Sequence, residues 1–123
     1  MERIYEFTVD GKNFIYIDVS NIKKNEDFID LIDIVKKVIK KYPDKSVYTI
    51  INIDGIIFDT DTKEIAAKCF EHNKPYVKYA AIIGSDGIKN IMTKAVCKIS
   101  GRKNVHFCWN KEQAIAWLLQ QEQ

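Results

Sequence analysis

The sequence predicts an α/β protein, a two-layer sandwich on a mixed sheet with the order β-β-α-β-α-β-α-β-α. Three observations predict it. Period-two alternation flanks an Asp-Gly turn near the N-terminus, and beyond it short β-branched runs alternate with amphipathic segments of helical period. No linker, internal repeat or low-complexity tract divides the chain, so residues 1–123 read as a single domain. A length of 123 residues with 46% hydrophobic content is enough for one ordinary core.

Residues 3–9, "RIYEFTV", and 13–19, "NFIYIDV", flank "DGK" and predict an antiparallel hairpin. After Asn25, "EDFIDLIDIVKKVIKKYP" places Phe28, Leu31, Ile32, Val35, Val38 and Ile39 on one helical face. Its acids come early (Glu26, Asp27, Asp30) and its lysines late (Lys36, Lys37, Lys40, Lys41), which suits the helix dipole, and Pro43 stops it. "SVYTIINI", 46–53, reads as a strand covered on both faces. The next helix is expected to start near Asp61, whose spacing to Glu64 resembles a capping box, and to run through Ile65, Ala66, Cys69 and Phe70 until "NKP" ends it. "YVKYAAIIG" is a further buried strand. Ser85 is then the expected N-cap of a helix with Ile88, Ile91, Met92, Ala95, Val96 and Ile99 inward, stopped at Gly101. A short strand, "VHFCW", leads to Asn110, which caps a last helix with Gln113 at the capping-box position and Ala114, Trp117 and Leu118 inward.

Composition excludes some classes of function. The net charge of +2 implies neither a basic nucleic-acid binder nor an acidic tail, so nucleic acid is not an expected partner. Residues 1–62 carry 9 Lys/Arg against 12 Asp/Glu and residues 63–123 carry 10 against 5, an asymmetry that gives the second half a positive side. Lys89, Lys94, Lys98, Arg102 and Lys103 make the third helix and its exit basic. No aromatic residues interleave with them, so they read first as a solvated face and second as a surface for a partner protein or acidic lipid. No apolar run approaches a membrane span and "MERIYEFTVDG" has no apolar leader core, so the expectation is a soluble, cytoplasmic chain that is not an integral membrane protein. Cys69, Cys97 and Cys108 are odd in number and widely spaced, as for reduced core thiols. His72 and His106 have no ligand pattern around them, and no metal or other cofactor is expected.

A mostly parallel sheet collects ligands at the carboxyl ends of its strands. Three turns belong there: "DTDT" at 59–62, "GSDG" at 84–87 and "WNKE" at 109–112. Each offers backbone N–H groups at a helix start, where an anion is favoured. Gly84 and Gly87 permit close approach, Thr60, Thr62, Ser85 and Asn110 offer polar contacts, and Phe58 and Trp109 would be apolar walls. The plainer reading is that Ser85 and Asn110 are helix caps and nothing more. "GSDG" has neither the Walker lysine spacing nor the dinucleotide fingerprint. A phospho-acceptor reading of Asp54 fails, because the first strand ends without paired acids and no Lys ends the last strand.

The element order and these stretches resemble a STAS domain, the fold of bacterial anti-sigma factor antagonists. Typical members follow an apolar strand with Asp-hydrophobic-Ser-Gly-hydrophobic-x-Phe-hydrophobic-Asp-Ser-x-Gly. "INIDGIIFDTDTKEI" matches this loosely, with Gly55, Ile56 and Phe58 in register. The closer similarity is to the STAS-like branch related to the sporulation anti-anti-sigma factor and to CRAL-TRIO lipid-transfer domains, through "NKPYVKYAAIIGSDGIKNIM", "KISGR" and "EQAIAWLL". In the antagonists a Ser at the start of the helix is phosphorylated. The resemblance places that pair on Asp61 and Thr62, making Thr62 the nearest hydroxyl and Thr60 one gap away. Here the Ser-x-Gly is absent, and Asp59 and Asp61 would repel an added phosphate or already mimic it.

The expectation is therefore a non-enzymatic regulatory or binding domain. It would take a small apolar or anionic ligand, lipid-like molecules included, or a protein partner, with a homodimer among the arrangements allowed. The alternative is a phosphorylation-controlled interaction protein with Thr62 or Thr60 as acceptor. A third reading, an enzyme with Asp54 or Asp59 raised in pKa by burial to act as a base, lacks a nucleophile or metal to work with.

Overall fold

The computed structural model describes residues 3–57 and 59–121, and of residues 87–89 the backbone only. The sequence pattern produces strands β1 (Ile4–Val9), β2 (Lys12–Asp18), β3 (Val47–Asn52), β4 (Val77–Ile83) and β5 (Val105–Phe107). The helices are α1 (Asn25–Ile39), α2 (Thr60–Asn73), α3 (Gly87–Ser100) and α4 (Lys111–Gln120). All five strands form one sheet in the order β1-β2-β3-β4-β5, with β1 antiparallel to β2 and every other pair parallel. Asp10 and Gly11 both take positive φ, 52° and 77°, the backbone of the tight turn whose twist matches a hairpin.

Strand order follows chain order without a reversal, so right-handed crossovers carry α1, α2 and α3 to the same face. That face holds the larger core: Ile15, Ile17, Val47 and Ile82 from the sheet meet Phe28, Leu31, Ile32, Val35 and Ile39 of α1 and Cys69 of α2. Val38, expected inward, is only partly buried. The opposite face carries α4, whose Ala114 and Leu118 are buried against Tyr48, Ile50, Ala81 and Ile83. An aromatic row crosses this face from strand to strand: Phe7 to Phe14 at 5.4 Å, Phe14 to Tyr48 at 5.5 Å, Tyr48 to Tyr79 at 6.2 Å, and Tyr79 to Trp117 at 6.1 Å. Lys111 ties the start of α4 to the hairpin by lying over the rings of Phe7 and Tyr16 at 5.2 and 5.1 Å.

Three local expectations are corrected. The cap of α2 is Asp59, not Asp61: its carboxylate accepts from the Thr62 N–H at 2.8 Å, two residues earlier than the Asp61–Glu64 spacing implied. Ser85 does not cap α3, because its Oγ has no hydrogen-bond partner and the helix begins at Gly87. The buried stripe of α3 is also rotated from the apolar reading, with Thr93, Val96 and Ser100 buried while Ile91 and Ile99 are 72% and 64% exposed. The helix turns toward the sheet the face whose hydroxyls are small, and Ser100 returns its own to the Val96 carbonyl at 2.8 Å. Ile88 lies outside the residues whose side chains are described.

Candidate functional site at the strand ends

Because β3, β4 and β5 are parallel, the turns that follow them share one edge of the sheet. The turn after β4 leads into α3 on one face, and the turn after β5 leads into α4 on the other. Divergent exits from adjacent strands are the place where open α/β sheets as a class hold ligands.

Asn52, the last residue of β3, organises the floor of that edge. Its Nδ2 donates to the Tyr16 hydroxyl at 3.2 Å and its Oδ1 accepts from the Asp54 N–H at 3.0 Å. Desolvation, with only partial relief from the bond with Asn52, holds the Tyr16 phenol above its ordinary pKa. Gly84 presses against this group from β4. It takes φ +79°, and a Cβ there would come within 2.7 Å of Asn52 Oδ1 and the Asp54 nitrogen. Glycine is thus required twice over, for backbone conformation and for space.

Between the sheet and α1–α3 lies a cavity of about 60 Å³. Its lining is apolar (Ile17, Val35, Ile53, Ile82 and Val96 among others) except for Thr62, Asn73 and Thr93. Asn73 is engaged with Cys69 Sγ and His72. Thr62 is likewise engaged: only 2% exposed, it bonds through its hydroxyl with Asn25 Oδ1 at 3.0 Å and Asp59 Oδ1 at 2.9 Å. Thr93 is different. It is 3% exposed and its Oγ1 has no partner. Two further buried oxygens have no partner, Asn90 Oδ1 one turn earlier on α3 and Ser85 Oγ in the turn before the helix, though neither residue lines the cavity.

The expected contact residues sort as follows. Thr62 and Thr93 share the cavity lining, whereas Gly84 and Ser85 lie in the turn after β4 outside that lining, with Gly87 opening α3. Thr60 is exposed at the first position of α2 and faces a groove toward Ile99 and Ser100 of α3. Asn110 is occupied by capping: its Oδ1 accepts from the Gln113 N–H at 2.8 Å while Gln113 Oε1 accepts from the Trp109 N–H. Trp109 is 87% exposed, so its ring forms no pocket wall, and Phe58 lies outside the described residues. Asp59 is exposed and its carboxyl is held below the usual range by the N–H and hydroxyl of Thr62, the direction opposite to that expected of a buried base.

Asn52, Asn90 and Thr93 were missed by sequence reasoning. Asn52 interrupts the apolar run "IINI", which was an available signal, whereas Asn90 and Thr93 stand beside Lys89 and Lys94 in "IKNIMTKAV", where polar residues are expected and no signal marks them. Among the described residues, no group of three or more His, Cys, Asp or Glu is placed to hold a metal ion, and no helix is long and apolar enough to cross a membrane. No protein-family model matches the chain, and no curated protein matches it.

Proposed function

We propose that this chain is a cytoplasmic, non-enzymatic regulatory domain of the STAS-like kind that binds a small molecule through the edge between the β3–α2 and β4–α3 turns. The ligand extends an apolar body into the cavity beneath α2 and α3. The observation that carries this reading is the set of three buried oxygens without partners, Ser85 Oγ, Asn90 Oδ1 and Thr93 Oγ1. Buried polar groups are nearly always paired, and one left unpaired costs about 1–3 kcal/mol. A ligand bearing a hydroxyl or amine donor at its head would supply the missing partner. The apolar lining selects a body with few polar atoms.

The test is a thermal-shift screen of medium-chain alcohols and amines against the corresponding alkanes, with native mass spectrometry of freshly purified protein. A rise in Tm with the donor-bearing members, lost in Thr93→Val, is the expected result. No shift with any member, and no retained small molecule, would overturn the reading.

One observation favours a second reading. Thr60 is exposed at the start of α2, whereas the Thr62 hydroxyl is buried and twice bonded. A phosphate on Thr60 would sit at a helix N-terminus, where the dipole favours it. In a phosphorylation-controlled antagonist, Thr60→Glu abolishes capture of the partner while the circular dichroism spectrum is unchanged. Unchanged capture removes this reading.

A further inference from the structure

Away from the strand-end turns, α3 and β5 bound an open groove of about 400 Å³. Lys94, Lys98, Arg102, Lys103 and His106 line it, Phe107 forms an apolar wall, and no carboxylate is among the lining residues. Lys94 and Lys98 stand one helical turn apart, where like charges repel. Lys94 is already drawn over the Phe107 ring at 5.9 Å.

Arg102 is the unusual member. It is 6% exposed, yet no ion pair joins it to a carboxylate among the described residues. Its Nη1 donates to the Phe70 carbonyl at 3.4 Å and its guanidinium lies over the Phe70 ring at 5.1 Å, which holds the side chain against the last turns of α2. Nε and Nη2 have no partner. Both atoms are closed off from solvent, so the groove feels the charge of Arg102 and not its free donors, and a buried charge is costly unless a nearby anion offsets it. Burial pushes the Arg102 pKa below its ordinary value, which is the same cost seen from the proton's side.

We propose that the α3–β5 groove is an anion site that takes the phosphate of a small phosphomonoester, with Lys94, Lys98 and Lys103 holding the phosphate, the buried charge of Arg102 adding its attraction from beneath, and Phe107 lining the apolar part of the molecule. A dianion relieves the repulsion among the flanking lysines better than a single carboxylate does. The site is independent of the small-molecule reading above, since it shares none of Ser85, Asn90 or Thr93.

The test uses phenyl phosphate, with phenol as the uncharged control, followed by amide chemical shifts of the full chain. The expected result is a saturable response at residues 94–107 with phenyl phosphate and none with phenol. Affinity should fall about tenfold in K94Q/K98Q, a loss of about 1.4 kcal/mol. Lys94 and Lys98 are exposed, so this variant keeps its Tm and decides the matter even if R102Q fails to fold. Vesicles containing phosphatidic acid form the second arm. Sedimentation with them, lost in K94Q/K98Q and without a response to the soluble ester, places the same phosphate on a lipid headgroup. No response in either arm, or a response unchanged in K94Q/K98Q, would overturn the proposal.

Discussion

Two helices on the same face of the sheet use their sequences in opposite ways. α1 and α3 are 15 and 14 residues long, and both end in basic residues. α1 turns Phe28, Leu31, Ile32, Val35 and Ile39 into the core, as its periodicity demands. α3 exposes Ile91 and Ile99 and buries Thr93 and Ser100. α1 also exposes Ile29 and Ile34 but has no buried unpaired polar atom among the described residues, whereas the buried side of α3 leaves Thr93 Oγ1 and Asn90 Oδ1 unpaired and its open side carries the cations of the groove. The difference teaches that two helices of similar length on one face can differ in how completely their buried polar atoms are paired, and both proposed sites draw on the helix where the pairing is incomplete.

Substitutions can break or sharpen this contrast. The largest effect is expected at Ile39→Ala: the side chain is fully buried at the end of α1, and its truncation should cost about 2–5 kcal/mol in urea denaturation. Gly84→Ala, at the entry to α3, forces a left-handed backbone and meets the Asp54 nitrogen. It should cost at least about 1–3 kcal/mol, and an unchanged midpoint would show that the turn gives way freely. On α2, between the two helices, burial pushes the Cys69 thiol up to about 11 from 9.0. The folded protein therefore keeps a proton that the unfolded chain has lost. The stabilisation is complete below about pH 9 and falls away as pH rises toward about 11; Cys69→Ala should flatten that part of the stability curve.

Thr93→Val has the opposite sign. Removing an unpartnered buried hydroxyl at constant shape should stabilise the ligand-free protein by about 1 kcal/mol, and a destabilisation would mean that something already satisfies it. The smallest effect is expected at Ile91→Ala, within about 0.5 kcal/mol, since the side chain is mostly in solvent.

The sheet and α1 were legible because period and burial agree: the alternation around Asp10-Gly11 sets the hairpin register, and the run at 47–50 is buried on both faces. Asn110 was legible as a cap because its capping box is local in sequence. Asp59 was missed as the cap of α2, since Asp61 offers the same chemistry two residues on and only the tertiary placement of Thr62 against Asn25 chooses between them. The face of α3 was misread because isoleucines mark two stripes, and the choice between them depends on the volume left by α2 and β4, which no single segment encodes. Arg102 could be seen as one of five cations at the end of α3, but its burial and its missing carboxylate come from the meeting of α2, α3 and β5.

The sheet order, in which every strand lies beside its neighbours in the chain, also bears on how the molecule is made. A chain emerging from the ribosome can add each strand to an edge that is already in place, with no strand waiting for a later one to be inserted. α4 breaks this progression by crossing back over β3 and β4 after β5. Until it does, Phe14, Tyr48, Ile50, Ala81 and Ile83 lack the cover of α4, and an uncovered apolar face of this kind favours aggregation.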